Sequence, residues 1–149
     1  NINNIQINEA KEVIPMIDIQ YTIETEQYGN KTGNRLFIPA NIFRKGFTTP
    51  DLKQRVQDIH INYGYLDTDS ICLQIPEGYT IESLPKTCQV TSSFGSFSSS
   101  LMIKDKEICI IHRLLMHRGI YPKEIYKDFL EFRKQIAAQY SSKIILKKE

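Results

Sequence analysis

The chain contains no tryptophan, three cysteines in 149 residues and almost no excess of either charge. Each shortage narrows what the protein can be. Cys72, Cys88 and Cys109 are too few for a disulfide scaffold, and an odd count leaves at least one of them unpaired. They read as small buried hydrophobes, with one bridge plus one thiol as the alternative in an oxidising compartment, and the pairing stays open. A net charge of +2 is too small for a nucleic-acid protein held by phosphate contacts. No apolar run approaches the ~20 residues of a membrane-spanning helix. The first residue is Asn1, with no charged-then-apolar leader, so the chain reads as a C-terminal fragment of a larger protein or a mature product.

What is present is ordinary for a globular domain: 41% apolar and 24% charged residues. The length fits one domain over residues 1–149, large enough for a substantial core.

Period-two alternation dominates the chain. In residues 16–26, Ile17, Ile19, Tyr21 and Ile23 share one face and Asp18, Gln20, Thr22 and Glu24 the other, which predicts a half-buried strand. A short strand follows at Arg35–Ile38, stopped by Pro39. Asn41 to Asp51, with Gly46 and Pro50, reads as a loop containing at most one helical turn. Val56–Tyr63 alternates again, Gly64 to Asp69 reads as a polar turn, and Ser70–Ile75 as a strand with Ile71, Leu73 and Ile75 on one face. Pro76-Glu77-Gly78 predicts a turn before a brief strand at Tyr79–Glu82. Thr87–Phe94 and Phe97–Lys104 flank Gly95 as a hairpin, whose solvated face accounts for the surrounding serines. Glu107–Arg118 is apolar on both faces and predicts a central strand covered on both sides.

The period then changes. From Pro122, the residues Ile125, Phe129, Phe132, Ile136 and Tyr140 form a helical stripe that Ser141-Ser142 ends, and Lys143–Leu146 is a short closing strand. The expected fold is mainly β: an antiparallel two-sheet β-sandwich, jelly-roll-like, of about eight or nine strands with one C-terminal α-helix.

Chemistry is sparse. Cys109 and His112 are three apart on one strand and so face opposite ways, and the same holds for His112 and His117. His117 and Cys109 share a face but stand about 26 Å apart. Paired ligands at metal spacing are missing, and Asp67, Asp69 and Ser70 form an acidic turn without the Gly and closing Glu of a calcium loop. Gly95 has no helix after it to make a phosphate loop. Arg113 reads as an edge-facing or paired arginine, with an interface or anion contact as its functional alternative. Tyr63, Tyr65, Tyr79 and Tyr121 sit near turns where they can stack on sugar rings, although strand-end aromatics commonly cap a core. Lys143, Lys147 and Lys148 read as a solvated tail. No residue is assigned a catalytic, cofactor-binding or metal-ligating role.

Lys53-Gln54-Arg55-Val56, Asp67-Thr68-Asp69-Ser70-Ile71, Leu73-Gln74-Ile75-Pro76-Glu77-Gly78-Tyr79 and Leu84-Pro85 resemble, in order and spacing, a known C-terminal module. So do Phe94-Gly95-Ser96-Phe97, the long strand ending at Arg113, Gly119-Ile120-Tyr121-Pro122, Tyr126 through Phe132 and Lys143-Ile144-Ile145-Leu146. Gly33 to Pro39 resembles the segment that enters it, and residues 1–30 match least. The module is a domain of unknown function that follows a transglutaminase-like, papain-type core in large exported bacterial proteins, mostly from Bacteroidetes. Those proteins also carry an N-terminal β-sandwich of unknown function.

The resemblance implies that Cys-His-Asp chemistry lies in the preceding core and that no catalytic residue carries over to this chain. It implies a periplasmic or cell-surface location, and the upstream core of the same polypeptide as partner. The expected role is a non-catalytic accessory domain that packs on or orients that core, showing an apolar patch that looks orphaned when the domain is seen alone. The alternative is an independent glycan- or peptide-binding module with a concave face bearing exposed Tyr. An enzyme in its own right would need a Cys or Ser within hydrogen-bond reach of His60, His112 or His117.

Overall fold

The computed structural model describes residues 1–26, 28–41, 43, 49–53 and 55–149. The chain divides by its contacts into two compact units, Asn1–Asn30 and Lys31–Glu149.

The first unit is an antiparallel ribbon of β1 (Ile2–Ala10) and β2 (Met16–Ile23). The alternation in β2 marks the strand as expected. Strand β1 escapes the same reading because its isoleucines, Ile2, Ile5 and Ile7, do not keep a period of two. The ladder shifts register between Asn3 and Gln6, and Asn4 takes a φ of 54°. This irregularity re-phases the strand, and Asn tolerates that conformation better than most side chains. It sets Ile7 directly opposite Ile19. The expected half-burial of this face does not hold: Ile17 is 67% exposed and Ile19 54%.

The second unit holds two four-stranded antiparallel sheets. In one, β6 (Tyr65–Gln74), β10 (Glu107–Met116), β9 (Gly95–Lys104) and β8 (Cys88–Ser92) lie in that order. In the other the order is β3 (Asn30–Thr32), β4 (Arg35–Pro39), β12 (Lys143–Lys148) and β7 (Tyr79–Ser83). A two-stranded ribbon joins β5 (Ile59–Ile61) to β11 (Gly119–Tyr121). Among the described residues the protein is thus mainly β, with twelve strands in antiparallel sheets and one C-terminal helix, α1 (Tyr126–Tyr140).

Strand β10 is interior, as its apolar sequence predicts, and pairs over all ten residues with both β6 and β9. Its burial is one-sided, however. Ile108, Ile110, His112, Leu114 and Met116 are buried, whereas Cys109 and Ile111 are half-buried and Arg113 and Leu115 exposed. Full-length pairing also corrects the polar turn expected over Gly64 to Asp69. Residues 65–69 are strand, because the ladder with β10 outweighs their weak strand propensity. The closing strand is likewise no tail: β12 lies between β4 and β7, with Ile144 and Leu146 buried and Lys147 and Lys148 in the ladder. On the exposed side Arg35 clamps Glu82 with two hydrogen bonds of 2.6 and 2.7 Å.

The helix starts slightly later than expected. Pro122 precedes a 3₁₀ turn over Lys123–Ile125, closed by the Ile125 N–H donating to the Pro122 carbonyl at 3.2 Å. Of the expected stripe, Phe132, Ile136 and Tyr140 are buried, while Ile125 and Phe129 are half-buried and Tyr126 and Leu130 take the buried places beside them. The helix ends where Ser141 and Ser142 hydroxyls donate to the Ala137 and Gln139 carbonyls, both at 2.7 Å. The buried helix residues form one cluster with Ile59, Phe94, Phe97, Leu114 and Met116. The helix therefore supplies much of the core that a plain two-sheet sandwich draws from its sheets. Of the loop expected over Asn41 to Asp51, residues 42 and 44–48, Gly46 included, lie outside the described residues.

The hairpin around Gly95 forms as expected, but its glycine does more than turn. Gly95 opens β9 at a φ of +148°, and a Cβ there would run into the Leu115 carbonyl oxygen. Gly95→Ala is therefore expected to lower the unfolding free energy by about 3 kcal/mol or more, read from the midpoint of chemical denaturation.

Candidate functional site

The cysteines resolve first. Cys72 and Cys109 stand directly opposite each other on β6 and β10 and form a disulfide, with their Cα atoms 4.1 Å apart. Cys88 is the free thiol, half-buried on β8. Burial pushes its pKa up against a weaker opposing hydrogen bond from the Ser99 backbone, which disfavours the nucleophilic thiolate. Glu107 stands beside the bridge, its Oε2 3.7 Å from Cys109 Sγ. A bridged sulfur has no proton to donate, so this is a contact. The ligand atoms of Cys72, Glu107 and Cys109 lie within 4.8 Å of one another, but neither sulfur is a thiolate able to bind a cation.

The acidic residues do not converge. Asp67 and Asp69 lie on β6 with their side chains half-buried, and Ser70 points to the opposite, exposed side. Asp69 accepts a hydrogen bond of 3.4 Å from the Asn41 amide. It also stands opposite His112 in the β6–β10 ladder.

The histidines are dispersed. His60 is exposed on β5. His117 follows β10, with Nδ1 3.4 Å from the Ser93 carbonyl. His112 is 1% exposed, its ring 5.7 Å from that of Phe97 and edge-on to Tyr140 at 5.1 Å. Both of its nitrogens are buried without a hydrogen-bond partner among the described residues. Burial pulls the His112 pKa below the ordinary histidine value, and Asp69 opposes that pull only in part.

Among the described residues the convergent groups lie elsewhere, on the β5–β11 ribbon. Its register pairs Gly119 with Ile61, Ile120 with His60 and Tyr121 with Ile59. Period two turns Ile59 and Tyr121 toward the core and His60 and Ile120 outward. Asn62 and Arg118, one step beyond the paired residues, join them, and with Tyr63 they line an open cleft of about 400 Å³. Tyr63 is 81% exposed and Ile120 67%. Gly64 fixes this arrangement. Its backbone lies so close to the β10–β11 connection that a Cβ would come 3.1 Å from the Met116 carbonyl oxygen and 3.2 Å from the Arg118 nitrogen. Tyr63 is thereby held beside Arg118.

Of the four tyrosines near turns, only Tyr63 reaches this cleft. Tyr121 packs into the core edge, its ring 4.7 Å from that of Phe94. Tyr65 and Tyr79 begin β6 and β7. Arg113 stands exposed on the open face of the first sheet, between Thr68 and Ser98 in the ladder. Sequence reasoning missed Arg118 and Asn62 because Val56–Tyr63 reads as one strand and Glu107–Arg118 as another, with no sign that their ends meet. The shared signal was Gly64 and Gly119, each beside a polar residue at a strand end.

The other candidate surface belongs to the first unit. Ile5, Ile7, Ile17, Ile19 and Tyr21 alternate on the two strands of the ribbon and are all exposed.

Against known families, the model for DUF3858, a domain of unknown function, matches residues 34–146. No curated protein and no solved structure matches the chain.

Two outcomes follow from His112 and the disulfide. The folded His112 has a lowered pKa, so the unfolded chain binds the proton more readily. The histidine's contribution favours folding at pH values above the unfolded pKa and is lost as pH falls through it. The urea midpoint is expected to drop between pH about 7.5 and about 5.5, and His112→Leu to flatten that slope. Reduction of Cys72–Cys109, whose sequence separation is 37, is expected to remove about 3–4 kcal/mol of stability. The check is denaturation with and without a dithiol, and Cys88→Ser should leave the difference between the two curves unchanged.

Proposed function

The chain belongs to the DUF3858 family, and from that premise we propose that it is a non-catalytic accessory module of an exported transglutaminase- or protease-like protein, docking on the catalytic core and orienting it. The observation that carries this reading is the apolar face of the β1–β2 ribbon. A two-stranded ribbon is marginal by itself in water. A face of five exposed apolar residues on such a ribbon, Ile5, Ile7, Ile17, Ile19 and Tyr21, gains most by being covered. Glu9, opposite Ile17 and paired with Lys11, borders this apolar stretch, which otherwise suits a lasting contact better than a transient polar one.

Two further features support the reading. The Cys72–Cys109 bridge suits an oxidising compartment, periplasmic or at the cell surface. The same bridge, the raised pKa of Cys88 and the burial of His112 support structural rather than nucleophilic roles for these residues.

The test is binding in trans between this chain and a separately produced transglutaminase-like core from the same protein. The wild-type chain is expected to bind. The double variant Ile7→Lys/Ile19→Lys should weaken binding about tenfold or more while leaving the melting of residues 31–149 in place. Equal binding by the double variant, or none by the wild type, would overturn the proposal.

A further inference from the structure

We propose that the cleft on the outer face of the β5–β11 ribbon binds an acidic carbohydrate, a pyranose chain bearing carboxylates, with Arg118 holding a carboxylate and Tyr63 and Ile120 lying against the sugar ring. The cleft is built wholly from residues 60–63 and 118–120, so this site is independent of the docking face on the first unit.

Shape comes first. At about 400 Å³ the cleft is within the range of small-ligand sites, and its openness at the surface suits one or two rings of a longer chain rather than an enclosed metabolite.

Charge comes second. The lining residues are His60, Ile61, Asn62, Tyr63, Arg118, Gly119 and Ile120, with no carboxylate among them. Arg118 has no ion pair or hydrogen bond within the described residues, in contrast to Arg35, which Glu82 holds in a bidentate clamp. A guanidinium with its donors free and no carboxylate among the residues lining its cleft can take an anion, and its planar fork matches a carboxylate.

The mixture of surfaces comes third. A pyranose ring offers a patch of C–H groups on one face and hydroxyls around its edge. The cleft answers with the same division: the Tyr63 ring and the Ile120 side chain are both largely exposed, next to the Asn62 amide and the His60 imidazole, which donate and accept hydrogen bonds. Tyr63 brings a large, stiff apolar surface at low entropic cost. It does not sit there as a core cap, since its side chain is largely exposed and outside the core cluster.

The experiment is calorimetric titration of the full chain with four probes: an oligogalacturonate, a neutral malto-oligosaccharide of equal length, a sulfated chondroitin oligosaccharide and poly-glutamate. The oligogalacturonate is expected to bind, and Arg118→Ala to weaken it about tenfold or more. Raising salt from about 50 to about 500 mM should also weaken it, because the ion pair is solvent-exposed. Tyr63→Ala should cost about fivefold, while Arg113→Ala, on the open sheet face, should change nothing. These side chains are exposed, so unchanged melting curves are expected to accompany the losses. Four outcomes would overturn the proposal: no uronate binding at about 10 mM, equal binding of the neutral sugar, binding indifferent to Arg118→Ala, or binding of poly-glutamate or the sulfated sugar alone.

Discussion

The ladder that β10 makes with both of its neighbours is the constraint from which the rest of the second unit follows. Ten residues of one strand are committed on two edges, opposite β6 from Glu107↔Gln74 to Met116↔Tyr65 and opposite β9 from Glu107↔Lys104 to Met116↔Gly95. That commitment turns a polar stretch of β6 into strand. It sets Cys72 against Cys109, and Asp69 against His112. It also brings Gly95 so close to the end of β10 that no side chain fits there. At the same end the chain leaves the sheet, and the short segment to β11 carries Arg118 to the side of Tyr63.

The inner face of this sheet is unusual in burying a histidine. His112 occupies the place where the alternation Ile108, Ile110, Leu114, Met116 calls for another aliphatic. It is tolerated because its ring packs as an aromatic, between Phe97 and Tyr140, and because burial keeps it neutral. A neutral imidazole without partners still carries a desolvation penalty. The surrounding cluster of Phe97, Leu114, Phe132 and Tyr140 makes that penalty bearable.

Much of the fold was legible from periodicity. The helical stripe from Ile125 to Tyr140, the apolar β10, the hairpin at Gly95 and the Pro76-Glu77-Gly78 turn all rest on local patterns that the structure keeps. What failed to show in the sequence was non-local. Strand β1 hid behind a register shift at Asn4, and the first half of β6 behind polar residues that only a long partner could recruit. The disulfide needed the β6–β10 register, since spacing alone offers three pairings. The cleft was less legible still. The alternation of Val56–Tyr63 was visible, with His60 and Tyr63 in it, but Arg118 joins them only because β5, within that stretch, pairs with the three-residue β11, which no local pattern marks. The exposed β2 side of the ribbon shows the reverse: its alternation was plain, while its exposure lies outside what periodicity encodes.

The cross-strand bridge also has a mechanical side. A pull on the two ends of the second unit would load its strands unequally. Force applied at the two ends of the second unit can strip β12 from β4 and β7 and peel the helix away. It cannot draw out the segment closed by Cys72 and Cys109, whose sequence separation is 37. At ~3.3–3.6 Å per residue, roughly 120–130 Å of chain stays looped behind the bridge. The hairpin of β8 and β9, which lies inside that loop, is shielded from tension and can re-form as soon as the load is released.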